Sequence, residues 1–277
     1  MGSTAKSLEA MAMGRLRSAL YRRAANATEQ TSLRSCLVIA PHPDDETLGC
    51  GATMARKIAS KRRVNVVVAT DGSGSHRSAL VPPKDLSQIR EVECIEACKT
   101  LGVPREDIEF LRFEDGHLVH RMEDLFHELA DAITACKPDE ILSPSPIDRH
   151  PDHRAIAAVM DELVRRGVVT CPVLEYPVWF WTARAWAKDA HGSPLAAIPT
   201  MLFPGKTASA LHPVGVSTDG YLDLKRQALM KHKSQVSNLT GEPGWATLPE
   251  SFLANFFLSA ELFFTGRIPV GQHKAAG

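Results

Sequence analysis

The chain has 277 residues, 44% of them hydrophobic, and its 32 basic residues balance 32 acidic ones. That is enough apolar material for a large α/β domain with a sizeable core, and the charge balance, with no long basic run, argues against a surface that tracks nucleic acid. No apolar stretch approaches the length of a bilayer span and the N-terminus lacks the apolar core of a signal peptide, so the cytoplasm is the expected compartment.

Residues 1–30 hold KSLEAMAMGRLRSALYRRAA, a basic helical extension expected to dock on the domain. Its basic side offers the only membrane contact the sequence suggests. Residues 31–277 are expected to form a single α/β domain. CLVIA (Cys36–Ala40) reads as a buried strand, and Thr47 to Ser60 as a helix with its N-cap near Thr47. RVNVVVAT (Arg63–Thr70) is a second strand, running into the loop DGSGSH. Asp85 to Leu101 is a helix stopped by Gly102 and Pro104. IEFLRF (Ile108–Phe113) is a third strand, Met122 to Cys136 a helix, and EILSPS (Glu140–Ser145) a fourth strand. His153 to Arg166 is helical, and PVLEYPVWF (Pro172–Phe180) is extended. WFWTARAW (Trp179–Trp186) is aromatic-rich, suited to stacking on a sugar or to core packing. It leads into an irregular excursion over 182–210. Cys36, Cys50, Cys94, Cys98, Cys136 and Cys171 form no CxxC pair and read as small buried residues in a reducing compartment.

Strands that are apolar throughout, alternating with helices, predict a Rossmann-like, doubly wound, mainly parallel sheet with helices on both faces. Ligands of such sheets bind beyond the carboxyl ends of the strands. The loops there are PHPDDE, DGSGSH, EDGH and SPIDRHPDH, and they hold the conspicuous polar residues.

Asp44, Asp45 and Glu46 stand side by side next to His42. Gly49-Cys50-Gly51 opens a helix after a strand, and Asp71 follows Gly51 by 20 residues, as in a dinucleotide fingerprint. The chemistry excludes it: Met54 holds the third glycine position, and three carboxylates would repel a pyrophosphate. The two glycines instead let the helix approach the sheet. A cation suits the acids better. His42 and Asp45 are three apart in a turn, and His150 and His153 are three apart at a helix start. One histidine of the second pair completes a two-His, one-carboxylate set with open positions for water and substrate.

PHPDDETLGCG, the RxxExxxA pattern of Arg90, Glu93 and Ala97 with LGV after it, LRFEDGHL, HPDH and the late KHKSQ together resemble the PIG-L/LmbE family of zinc-dependent N-acetylglucosamine deacetylases. The resemblance runs from about Cys36 to Gln235. It implies His42, Asp45 and His153 as metal ligands and Asp44 as general base. It matches His150 to the histidine facing the substrate carbonyl and leaving amine, with Asp152 beside it. Arg90 and Asp115 match positions that hold sugar hydroxyls, and His232 a histidine near the site. Glu46 is then a first-turn acid favoured by the helix dipole.

The implied activity is hydrolysis of an N-acetyl group to acetate and a free amine, with an N-acetyl amino sugar or its glycoconjugate as partner. The ion acidifies water, Asp44 accepts its proton, and a His150 kept charged by Asp152 stabilises the oxyanion. The donor set takes Fe2+ as well as Zn2+. Hydrolysis of another small amide on the same scaffold is the alternative within enzymes, and a carbohydrate-binding protein without catalysis the alternative outside them.

Overall fold

A computed structural model describes residues 3–182 and 209–266. The expected excursion at 182–210 lies, apart from its ends, outside the described residues, as do residues 183–186 of the aromatic stretch.

The chain enters through helix α1 (Ser3–Arg23), whose Leu16 and Leu20 are buried in the core and whose Tyr21 hydroxyl donates to the Ala260 carbonyl at 2.9 Å. After strand β1 (Ala25–Asn26) and the short helix α2 (Thr28–Ser32), the alternation begins. Strand β2 (Cys36–Ala40) is followed by α3 (Asp45–Ala59), β3 (Val64–Thr70) by α4 (Pro83–Thr100), β4 (Ile108–Phe113) by α5 (Met122–Cys136), and β5 (Glu140–Pro144) by α6 (Pro151–Arg165). Strand β6 (Val173–Tyr176), strand β7 (His212–Ser217) and strand β8 (Ala260–Thr265) complete one eight-stranded sheet, ordered β1-β7-β8-β6-β5-β2-β3-β4. All pairings are parallel except those of β8, which runs antiparallel between β6 and β7. No helix among the described residues is long and apolar enough to cross a membrane.

Side chains alternate across a strand, so β2 feeds two cores. Cys36, Val38 and Ala40 pack with α3 and α4 on one face, while Leu37 and Ile39 join α5 and α6 on the other. All five are buried, as expected for a central parallel strand. The GCG motif sits at this packing. An added Cβ on Gly49 would lie 2.7 Å from Tyr176 Cγ, and one on Gly51 would lie 3.0 Å from Lys225 Cγ. The two glycines let Tyr176 of β6 and Lys225 of helix Leu222–Leu229 press against α3. Lys225 is itself buried, donating to the Leu48 carbonyl and to Glu261, both at 2.7 Å.

The chain moves outward from β2 through β3 to β4, then returns to place β5 on the other side of β2. The loops after β2 and β5 therefore diverge at a topological switch point, where open α/β sheets form a crevice.

Candidate active site

That crevice holds a cavity of about 530 Å³ whose wall includes His42, Asp44, Asp45, Arg90, Asp115 and His150. The first loop departs from the expected boundary. Helix α3 starts at Asp45 with Asp44 as its N-cap residue, so the three acids form the cap and first turn rather than a turn before Thr47. The partial positive charge at a helix N-terminus stabilises carboxylates there.

Two imidazoles converge on one of these acids. Asp45 Oδ2 lies 3.1 Å from His42 Nδ1 and 3.2 Å from His153 Nε2. Each ring is tied from its far side. His42 Nε2 faces Asp152 Oδ2 at 3.1 Å and Asp115 Oδ1 at 3.2 Å, and His153 Nδ1 faces Asp148 Oδ2 at 3.0 Å. Asp148 is fixed in turn by the backbone N–H groups of Val178 and Phe180, at 2.9 and 2.7 Å. Metal-ligating histidines characteristically carry such a carboxylate on the outer nitrogen, which orients the ring and selects its tautomer. Sequence reading missed Asp148; its signal was the acid in SPIDRHPDH, five residues before His153.

Asp44 sits beside this group, buried, with φ 148° and ψ −23°, a region that costs a non-glycine residue about 1–3 kcal/mol. Its N–H donates to Glu46 Oε2 at 3.0 Å, and Arg90 Nη2 lies 3.2 Å from its Oδ1. Arg90 also donates to the carbonyls of Gly72 and Pro43, at 3.1 and 2.7 Å. The guanidinium expected to hold a sugar is thus largely engaged in fixing Asp44 and two loops. His232 is fully buried behind Glu46, its Nε2 3.1 Å from Glu46 Oε1, and it takes no part in the cavity wall. His232, expected near the site and counted among its substrate-binding residues, lies behind Glu46 rather than on the cavity wall.

His150 and Asp152 lie side by side as expected, but the Asp152 carboxylate is engaged mainly elsewhere. Asp152 accepts from the backbone N–H groups of Gly116 and Leu118 at 2.7 and 3.1 Å and faces His42, while His150 Nδ1 stands 3.9 Å away. His150 is the N-cap of α6, and its Nδ1 accepts the Asp152 N–H at 3.3 Å. Nδ1 is therefore the acceptor, and the ring's proton resides on Nε2. Burial and the neighbouring His42 and His153 push this imidazole down to about 4, against the pull of Asp152 and Asp45. Burial and the two neighbouring imidazoles thus favour a neutral His150 over the charged ring expected from its neighbour Asp152.

Asp115 does reach the cavity. Its Oδ2 also accepts the Gly74 N–H at 3.1 Å, and its proximity to His42 outweighs burial to hold it down to about 2. His76, which carried no sequence pattern, lies on the wall as well, stacked on Trp245 with ring centroids 4.4 Å apart. The wall also carries an apolar set, Val178, Trp179, Leu248 and Phe252.

The donors fit a divalent cation. His42, His150 and His153 bring ring nitrogens within 4.8 Å of one another. His153 Nε2 is a buried polar atom without a hydrogen-bond partner, near Asp45 but not aligned for a hydrogen bond. Charge points the same way. Burial opposes protonation of His42 and His153, yet the surrounding carboxylates raise His42 well above its ordinary value and His153 to about 9. The site draws positive charge, which a divalent cation among these donors would supply.

A family profile described as PIG-L, GlcNAc-PI de-N-acetylase, matches residues 37–164. The diacetylchitobiose deacetylase of Thermococcus kodakarensis is 32% identical over 125 residues, which cover 44% of this chain and 46% of that protein. The match thus spans less than half the length of that relative. The 1D-myo-inositol 2-acetamido-2-deoxy-alpha-D-glucopyranoside deacetylase of Thermobifida fusca is 26% identical over 245 residues, covering 74% of this chain and 84% of its own. In overall fold the chain is similar to the A40926 pseudoaglycone deacetylase Dbv21, with a TM-score of 0.59 at 21% identity, covering 84% and 97% of the two chains. The region that resembles the PIG-L family is the one carrying both histidine loops and the carboxylates between them.

Proposed function

We propose that the protein is a metal-dependent N-deacetylase that releases acetate from an N-acetylglucosaminyl substrate. The observation that carries this reading is the tethering of His42 and His153 by carboxylates on their outer nitrogens, with both inner nitrogens turned to Asp45 and Asp44 alongside. His42, Asp45 and His153 would hold the ion, which when bound would supply Lewis acidity and lower the pKa of water from about 15.7 toward ~7. Zinc suits this mixed nitrogen and oxygen set.

The chain's own groups carry the proton. Asp44, free of the ligand role, accepts one proton as water oxygen bonds to the acyl carbon. His150 directs its Nε2–H at the developing oxyanion, a task worth ~3–4 kcal/mol for a well-placed donor, and does so as a neutral ring. Asp44 then returns the proton to nitrogen as the C–N bond breaks, giving acetate and the free amine. Asp115 and the apolar wall of Trp179 and Phe252 border the space for the sugar and its attached group. All six cysteines are free thiols, which supports a reducing compartment such as the cytoplasm.

The test is acetate and amine release across a panel of N-acetylglucosamine conjugates, by chelated protein and after reloading with Zn2+ or Fe2+. Equal amounts of acetate and amine, lost on chelation and regained on reloading, are expected. Stoichiometric metal with no acetate from any conjugate would overturn the reading.

A further inference from the structure

Glu46 lies at the first turn of α3, where a carboxylate commonly faces solvent and is favoured by the helix dipole. Here it is fully buried and both oxygens are occupied. Oε2 accepts the N–H of Asp44 at 3.0 Å; Oε1 accepts the Thr47 hydroxyl at 2.6 Å and faces His232 Nε2 at 3.1 Å. His232 precedes the short helix Lys233–Val236, and that helix is anchored in its turn. Ser234 donates its N–H and hydroxyl to Glu93 at 2.8 and 2.6 Å, and its carbonyl accepts Trp245 Nε1–H at 2.9 Å. A continuous line of polar contacts therefore runs from Glu93 on α4, through the 232–234 segment and Glu46, to the backbone N–H of Asp44.

The end of that line is the residue whose backbone needs support. Asp44 holds a left-handed conformation that a non-glycine residue adopts only when its surroundings impose it. Arg90 grips the side chain and Glu46 grips the N–H. We infer that Glu46, braced by His232, is a positioning residue that fixes the strained backbone of Asp44 and so aims its carboxylate at the reacting water. The inference rests on the reading of Asp44 as proton acceptor. It gives buried His232 a role that acts through Glu46.

The experiment is steady-state kinetics of the metal-loaded protein on a conjugate it deacetylates, with metal content measured for each variant. Glu46→Ala should lower kcat about 100-fold, the scale of a 1 Å misplacement, with KM within about threefold and metal stoichiometry kept. Glu46→Gln retains an amide oxygen for the Asp44 N–H, and Thr47 and His232 can reverse their donor roles, so kcat should stay within about tenfold of the parent. His232→Ala should lower kcat by a smaller factor, and combining it with Glu46→Ala should add nothing further. A parental kcat in Glu46→Ala, a change in KM alone, or multiplicative effects of the two substitutions would each overturn the inference. If Glu46→Ala does not fold, the same cycle with Glu46→Gln and His232→Ala decides: bracing through Glu46 predicts coupled effects, independent roles predict multiplication. Asp44→Asn is assayed alongside. If it keeps full activity, the base assignment fails first and the inference falls with it.

Discussion

Asp152 Oδ2 lies 3.1 Å from His42 Nε2, and the carboxylate is held there by the Gly116 N–H on Oδ2 and the Leu118 N–H on Oδ1. A carboxylate fixed by two backbone donors is a rigid anchor, so it sets the direction of the His42 ring. Asp152→Asn should weaken metal affinity by about 10–100-fold, the usual cost of losing such an outer partner. Activity should recover at saturating metal. Chelator competition measures the affinity. An unchanged affinity with a lowered kcat would instead put Asp152 to work on His150.

Gly49 predicts a packing defect one turn into the helix that carries Asp45. A Cβ there would lie within 2.9 Å of Tyr176 Cε2 and nearer still to the ring's Cγ, and Tyr176 is held by its hydroxyl donating to the Ile39 carbonyl at 2.7 Å. Gly49→Ala should therefore cost ~1–3 kcal/mol despite alanine's better helix propensity. Adding Tyr176→Leu should restore part of it. Urea unfolding midpoints of the single and double variants test this. An unchanged midpoint for Gly49→Ala would show that α3 can slide off β6 at no cost.

The ionisation of Asp44 gives a third prediction, for protein stripped of metal. Burial pushes this carboxyl from 3.8 up to about 6, with Arg90 opposing and Asp45 adding to the rise. A raised folded-state value means that folding favours the protonated acid. That stabilisation is fully present below the unfolded value of 3.8 and is lost as pH rises through about 6. Asparagine does not titrate. The Tm of Asp44→Asn relative to the parent should therefore climb by at least ~2 °C between about pH 4 and about pH 7. A flat or falling difference would show Asp44 ionised across the whole window.

Local pattern made much of the fold legible. Cys36–Ala40, Ile108–Phe113 and Met122–Cys136 have the boundaries their apolar runs predict, and the four loops at strand ends do meet. Strand β8 was not legible, because Ala260–Thr265 pairs with β6 and β7 across long sequence separations that no local period encodes. The start of α3 was misplaced because a run of three acids resembles a solvated turn; burial against Arg90, His153 and His232 is what makes it a helix terminus. Within the site, motif positions were readable but their partners were not. Arg90 and Glu93 lie one turn apart on α4, yet Arg90 reaches Asp44 while Glu93 reaches Ser234. Only the packing of Lys233–Val236 against α4 creates the second pairing.

The two adjacent aspartates give the sharpest test. They differ in direction and in company. Asp45 Oδ2 touches His42 and His153, and those two rings outweigh burial to hold its carboxyl far below the usual carboxylate range. Asp44 touches Arg90 and is turned aside by its positive φ. Asp45→Asn removes a charged donor from the point where both imidazoles meet, so metal should be lost or bound far more weakly. Asp44→Asn keeps that set intact but cannot accept a proton, so metal should remain while acetate release falls by ~10²–10⁴-fold. Elemental analysis beside acetate release, on each purified variant, separates the two. Loss of metal from Asp44→Asn with retention in Asp45→Asn would exchange the assignments. Full activity in both would mean that the acids only terminate the helix, and the metal hydrolase reading would fall with them.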